Sequence, residues 1–162
     1  MATDLAPLSN VFGDLTVGQR VSELKRGPLT PVHLMRWSAA IENWHRIHYD
    51  LPFTVEHEKL PGLLINGSWK QHFVVQMIRL WAEPEGWLFK VGFQFRAMNV
   101  AGSTLTAWAD VASLSERDGF GWVDLKIGVL DEHGTESTPG TATVVLPLPG
   151  GAPVPYPFTI DG

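Results

Sequence analysis

Between Asn66 and Trp81 the apolar residues of this chain recur at helical spacing, and from Trp87 onward they recur at every second position. A single switch of period from 3.6 to 2 predicts one long amphipathic helix followed by strands with one apolar face each. Trp87, Phe89, Val91, Phe93 and Phe95 alternate with Leu88, Lys90, Gly92, Gln94 and Arg96. Leu105, Ala107, Ala109 and Val111 repeat the pattern, then Val123, Leu125, Ile127 and Val129, then a strand over 141–146. Acidic-Gly turns at Asp118-Gly119 and Asp131–Gly134 separate the later strands and predict consecutive antiparallel hairpins, so the four strands read as a meander.

An antiparallel meander needs cover on one face. Only the 66–82 helix is long enough, and its stripe of Trp69, Phe73, Val74, Met77, Ile78 and Trp81 is broad, with Lys70, Gln71, Gln76 and Arg79 at the other positions. Asn66 supplies an N-cap and Glu83-Pro84-Glu85-Gly86 the stop. The expected class is therefore α+β: a single hotdog domain, with an antiparallel sheet wrapped around one long helix. Residues 1–162 are expected as that one domain, with an N-terminal arm over 1–17 on the surface and a Pro-rich tail over 147–162 that runs irregularly over the surface or a partner. Upstream, Arg20–Leu24 reads as a short strand and Arg26-Gly27-Pro28 as a turn. Thr30-Pro31 opens a helix predicted to run to Asn43, and 49–61 reads as a loop with one helical turn near Val55–Lys59.

Composition narrows the function classes. A hydrophobic content of 44% with 18% charged residues marks a globular chain, and 162 residues suit one domain. The net charge of −5, with no Lys/Arg-rich run, argues against a general nucleic-acid or anionic-membrane partner. The absence of cysteine excludes disulfides, thiol nucleophiles and Cys-based zinc sites. No run of 18 apolar residues is present, and the first residues lack the basic start and apolar stretch of a signal peptide, so a cytoplasmic protein is expected. Seven Trp and eight Phe imply a bulky core, an apolar ligand groove or a subunit interface.

The candidate chemistry lies in Asn43–Asp50, read Asn-Trp-His-Arg-Ile-His-Tyr-Asp, and in Pro61-Gly-Leu-Leu-Ile-Asn-Gly-Ser-Trp69. Histidine as a side-chain type suits proton transfer near neutral pH, which makes His45 and His48 candidates. A pair of histidines near a helix end also fits capping or surface hydrogen bonding. If the segment is extended, His48 and Asp50 share a side; if the helix continues, His45 and His48 share a face. No third ligand stands at a metal-site spacing from His45 and His48, so neither metal nor cofactor is expected.

These stretches resemble the MaoC-like acyl dehydratases, the hydratase branch of the hotdog superfamily. That family's Asp-x-Asn-Pro-x-His pattern falls on Asn43, His45, Arg46 and His48. The match is closer to a sub-branch reading Asn-x-His-Arg-Ile-His-Tyr-Asp, found in hydroxyacyl-thioester dehydratases and mesaconyl- or itaconyl-CoA hydratase-like proteins. Pro61–Gly67 resembles the family's Pro-Gly-Leu-x-x-His-Gly, with Asn66 in place of the His. Phe93–Gly102 and Gly140–Val144 are similar to its later strands, so the resemblance spans roughly residues 20–147.

The resemblance implies a carbon–oxygen lyase that adds water to, or removes it from, a 2-enoyl thioester of CoA or an acyl-carrier protein. It implies a homodimer, or a heterodimer with a second hotdog chain. Catalytic roles fall on His48 as base, Gly67 N–H as oxyanion donor, and Asn43, His45 and Asp50. Substrate-binding roles fall on Arg46, Asn66 and Trp69. Asn43 stands where the broader family keeps a carboxylate, and an amide cannot exchange a proton at neutral pH. Either His48 then works alone or Asp50 or His45 takes the second role; alternatively the chain is a non-catalytic subunit that completes a partner's acyl tunnel. Thioesterase chemistry, which usually asks for a carboxylate on the long helix, is disfavoured because 68–81 contains none.

Overall fold

The computed structural model describes residues 9–159. Five strands, β1 (Arg20–Arg26), β2 (Trp87–Phe93), β3 (Leu105–Arg117), β4 (Phe120–Leu130) and β5 (Gly140–Pro147), form one antiparallel sheet in the order β1-β3-β4-β5-β2. It curls around α2 (Gly67–Ala82), and the shorter α1 (Pro31–Ala40) lies beside the N-terminal end of α2, where Trp37 bonds Ser68. This is the hotdog arrangement, as the period switch predicts. The strand order departs from a simple meander. β3, β4 and β5 are consecutive neighbours, but β2 sits on the far side of β5, and Gln94–Thr104 crosses back to β3.

Local chemistry explains the well-read elements. Asp118 and Gly119 both take positive φ, 54° and 79°, as a two-residue hairpin between the paired Arg117 and Phe120 demands. The inward positions of β3 and β4, from Leu105 to Val111 and from Val123 to Val129, are buried as the alternation predicts. They pack with Ala142, Val144 and Leu146 against Phe73, Val74, Met77 and Ile78 of α2. Each fully buried Leu, Ile, Val or Phe contributes about 1.5–3 kcal/mol of hydrophobic stabilisation, so this interior dominates the fold.

Two elements differ from expectation. In β2 the register shifts between Leu88 and Lys90. A bulge reverses the alternation: Leu88, Val91 and Phe93 face the core, while Trp87 packs on the opposite face and Phe89 meets Trp122 edge-on at 5.0 Å. The strand also ends at Phe93, two residues before the pattern does. α1 stops at Ala40, and not at Asn43. Glu42 takes the left-handed conformation (φ 54°), and the Asn43 N–H reaches back to the Ser38 carbonyl at 2.9 Å. That is a Schellman stop with glutamate where glycine is usual, so the sequence carries no stop signal there.

The described terminal segments pack against the body of the domain. Residues 1–8 of the expected arm lie outside the described residues, but Phe12 and Leu15 enter the core and the Trp81 indole N–H donates to the Ser9 carbonyl. Residues 148–159 form no regular helix or strand, and Phe158 is buried against Trp122 and Val145 on the outer face of the sheet. Among the described residues, no helix is long and apolar enough to cross a membrane.

Candidate active site

The site grows from three backbone segments lying side by side. Asn99–Ala101, inside the crossing segment, pairs with Leu63–Ile65 through Ile65 N–H to Asn99 O and Ala101 N–H to Leu63 O, both 2.8 Å. On the other side, Leu64 N–H donates to the Ile47 carbonyl at 2.9 Å. His48 then closes the arrangement: its Nδ1 lies 2.9 Å from the Leu64 carbonyl, and the residue is only 8% exposed. A carbonyl only accepts, so Nδ1 carries the proton, and in the neutral ring Nε2 keeps the lone pair. The imidazole is thereby fixed in the tautomer a general base needs.

Asn43–Asp50 is neither extended nor a continuation of α1. Arg46–His48 is a single 3-10 turn with His45 at its start. The Asn43 side-chain carbonyl accepts the His45 N–H at 3.1 Å, and the rings of His45 and His48 stand 6.1 Å apart. Asp50 accepts the Phe53 N–H at 3.1 Å on one oxygen and Arg46 Nε and Nη2 at 3.0 and 2.7 Å on the other. The Phe53 N–H first, then Arg46, hold this carboxyl below the usual carboxylate range. It stays ionised at neutral pH and opens the Phe53–His57 turn, over whose Phe53 ring Arg46 lies at 4.0 Å.

Two residues after Ile65, α2 begins. The Asn66 side-chain oxygen takes the Ser68 N–H at 2.9 Å, and the Asn66 carbonyl takes those of Trp69 and Lys70. The Gly67 N–H finds no acceptor among the described residues, which leaves one free donor at the positive end of the helix. Its orientation is secured from α1. Trp37 Nε1–H, a donor only, bonds Ser68 Oγ at 2.9 Å, so the Ser68 hydroxyl proton must go to Asn66 Oδ1, 2.6 Å away. That chain fixes Asn66 Oδ1 as the oxygen and leaves its buried Nδ2 without a partner among the described residues. The structure thus gathers His48, Gly67 and Asn66 through the single stretch 64–67. Trp69, half-buried and stacked on Phe73 at 4.9 Å, lies one step along α2, while Arg46 and Asp50 engage each other.

Lys70 stands among the polar positions of the helix in the sequence pattern and is instead 3% exposed. Its Nζ donates to Ala97 O at 3.0 Å and Asn99 Oδ1 at 3.2 Å, and among the described residues it has no carboxylate partner. The helical phase contains this signal, since position 70 lies one turn before Phe73 and Val74; the charge of the residue hides it. Burial lowers its pKa to about 8 from 10.5. The folded state therefore releases this proton before the unfolded chain does, and stability should rise with pH between about 8 and 10.5, by at most ~1.4 kcal/mol per unit. Urea unfolding of Lys70→Met across this range should lack that rise; equal slopes in both proteins would place the ammonium in solvent.

A family model described as hydroxyacyl-thioester dehydratase type 2 matches residues 18–103, just over half of the chain. No curated protein matches the sequence. Among solved structures, the R-hydratase PhaJ1 from Pseudomonas aeruginosa superposes with a TM-score of 0.75 at 17% identity, covering 93% of this chain and 96% of that one. The (R)-hydratase from A. caviae involved in PHA biosynthesis gives 0.71 at 19%, covering 84% and 98%. One chain of the ChsH1-ChsH2 complex from Mycobacterium tuberculosis gives 0.68 at 18%, covering 81% of this chain and 98% of that one. At these identities the structures establish the fold.

Proposed function

The chain belongs to the type 2 hydroxyacyl-thioester dehydratases, and from that footing we propose that it hydrates a 2-enoyl thioester, or dehydrates the 3-hydroxyacyl thioester, with His48 as its acid/base group. The observation that carries the reading is the Leu64 stretch, whose carbonyl fixes the His48 tautomer three residues before the free N–H of Gly67. In the hydration direction His48 Nε2 takes a proton from water as the oxygen bonds C3. The electron pair of the double bond moves onto the thioester oxygen, which Gly67 N–H stabilises, and the proton on Nε2 passes to C2. One histidine thus balances the reaction without a carboxylate. Asn43 orients the loop through His45, Asp50 braces Arg46, and the unpartnered Asn66 Nδ2 offers a second donor to the substrate. Arg46 Nη1 makes no bond among the described residues and suits a substrate phosphate. We further propose a cytoplasmic dimer paired along the free edge of β2.

A panel of 2-enoyl-CoA thioesters tests the proposal, with crotonyl-, mesaconyl- and bulkier enoyl-CoA substrates, mesaconyl-CoA being included because of the Asn-x-His-Arg-Ile-His-Tyr-Asp form of the motif. The hydrated product is followed directly by chromatography at neutral pH, and at least one thioester should gain water. The second reading, a non-catalytic subunit, is favoured by Asn43 at the carboxylate position. It predicts that the chain alone is inert toward every member of the panel and that activity appears only with a second hotdog chain.

A further inference from the structure

Between α1, the end of β1 and the first turns of α2 lies a cavity of about 430 Å³. Trp37, Trp69 and Phe73 are its aromatic lining, and the Trp37 ring also stands 5.1 Å from that of His72. The hydrogen bond from Trp37 to Ser68 ties this lining to the residue after Gly67. A smaller recess shared by Trp37, Trp69 and Asn66 continues it toward the start of α2.

The charges around the cavity are one-sided. Its ionisable lining consists of Lys25, Arg26, His33 and His72, with no carboxylate, in a chain of net charge −5. Arg20, Arg46 and Arg79 each hold a carboxylate, whereas Lys25 and Arg26 make no side-chain hydrogen bond or ion pair among the described residues. His33 Nδ1 accepts the Thr30 N–H at 3.0 Å, so its neutral ring carries the proton on Nε2 and is a donor. Aromatic surface, two free cations and a donor imidazole together complement an anion attached to an apolar body.

We propose that this cavity binds the anionic end of the thioester ligand, with Trp37 and Trp69 against its apolar portion and Lys25 and Arg26 holding a carboxylate or phosphate. The assignment rests on the thioester reading above and adds a charge requirement to it. The anion has two possible sources, a carboxylate on the acyl group or a phosphate of the carrier.

Binding of butyryl and glutaryl thioesters, each made with coenzyme A and with N-acetylcysteamine, separates them, read by tryptophan fluorescence and calorimetry. An acyl carboxylate in the cavity makes glutaryl-N-acetylcysteamine bind about tenfold tighter than its butyryl counterpart. A carrier phosphate gives instead a coenzyme A preference of similar size, indifferent to the acyl group. In the Lys25→Gln/Arg26→Gln double variant the preference that wild type shows should shrink about tenfold, while any phosphate contact of Arg46 persists. No preference in wild type, or one that the double variant leaves unchanged, overturns the proposal. Enoyl thioester turnover measured alongside keeps the two readings apart: turnover without a charge preference removes the cavity assignment alone, and a cation-dependent preference without turnover removes the hydratase reading alone.

Discussion

His48→Gln should lower turnover of the enoyl thioester by about 10²–10⁴-fold while leaving the thermal unfolding midpoint close to that of the wild type. Glutamine retains an N–H able to reach the Leu64 carbonyl, which His48 now satisfies at 2.9 Å, but it has no basic nitrogen. His48→Ala should lose the same activity and also some stability. The Leu64 carbonyl would be left unpaired beside a buried position, at a cost of about 1–3 kcal/mol. The pair of variants separates base chemistry from loop support. A glutamine variant with wild-type turnover would show that water is activated elsewhere.

Gly67→Val should cost about 10²–10³-fold in turnover, the loss typical of one oxyanion donor. A Cβ built at Gly67 comes within 3.3 Å of the Phe95 ring, so even the first added atom is tight, and the valine methyls add bulk where the substrate carbonyl must approach the N–H. Phe95 is 55% exposed and can be removed at little cost to the core. Gly67→Val/Phe95→Ala should therefore recover the unfolding midpoint but not the turnover. If activity returns with the midpoint, the damage ran through Phe95, and Gly67 is not the donor.

Most of the sheet is legible in the sequence because its inner positions obey a single physical rule. Leu105 to Val111 and Val123 to Val129 alternate without interruption, and the Asp118-Gly119 turn declares itself by residues that tolerate positive φ. β2 misleads because one bulge near Phe89 inverts the pattern, and a composition of aromatics on both faces gives no warning of it. Its place beside β5 is a property of long-range pairing, which local periodicity does not encode. α1 reads three residues too long because glutamate fills the left-handed stop.

In the candidate site, the sequence points to the side chains of Asn43–Asp50 and 61–69 but not to what holds them. The partner of His48 is a backbone carbonyl, which has no residue signature. The Trp37–Ser68–Asn66 relay joins positions 31 apart, and the charge of Lys70 masks a helical phase that marks it as buried.

The Leu64 peptide has a consequence of its own. With its N–H and C=O both committed, to Ile47 and to His48, and with flanking bonds to Asn99 and Ala101, it converts two surface loops into a fixed template. The ordering entropy of those loops, about 1–2 kcal/mol per residue, is met when the chain folds and not when the substrate arrives. A ligand entering such a template spends little of its binding free energy on shaping the protein, so more of it remains to be expressed at the transition state.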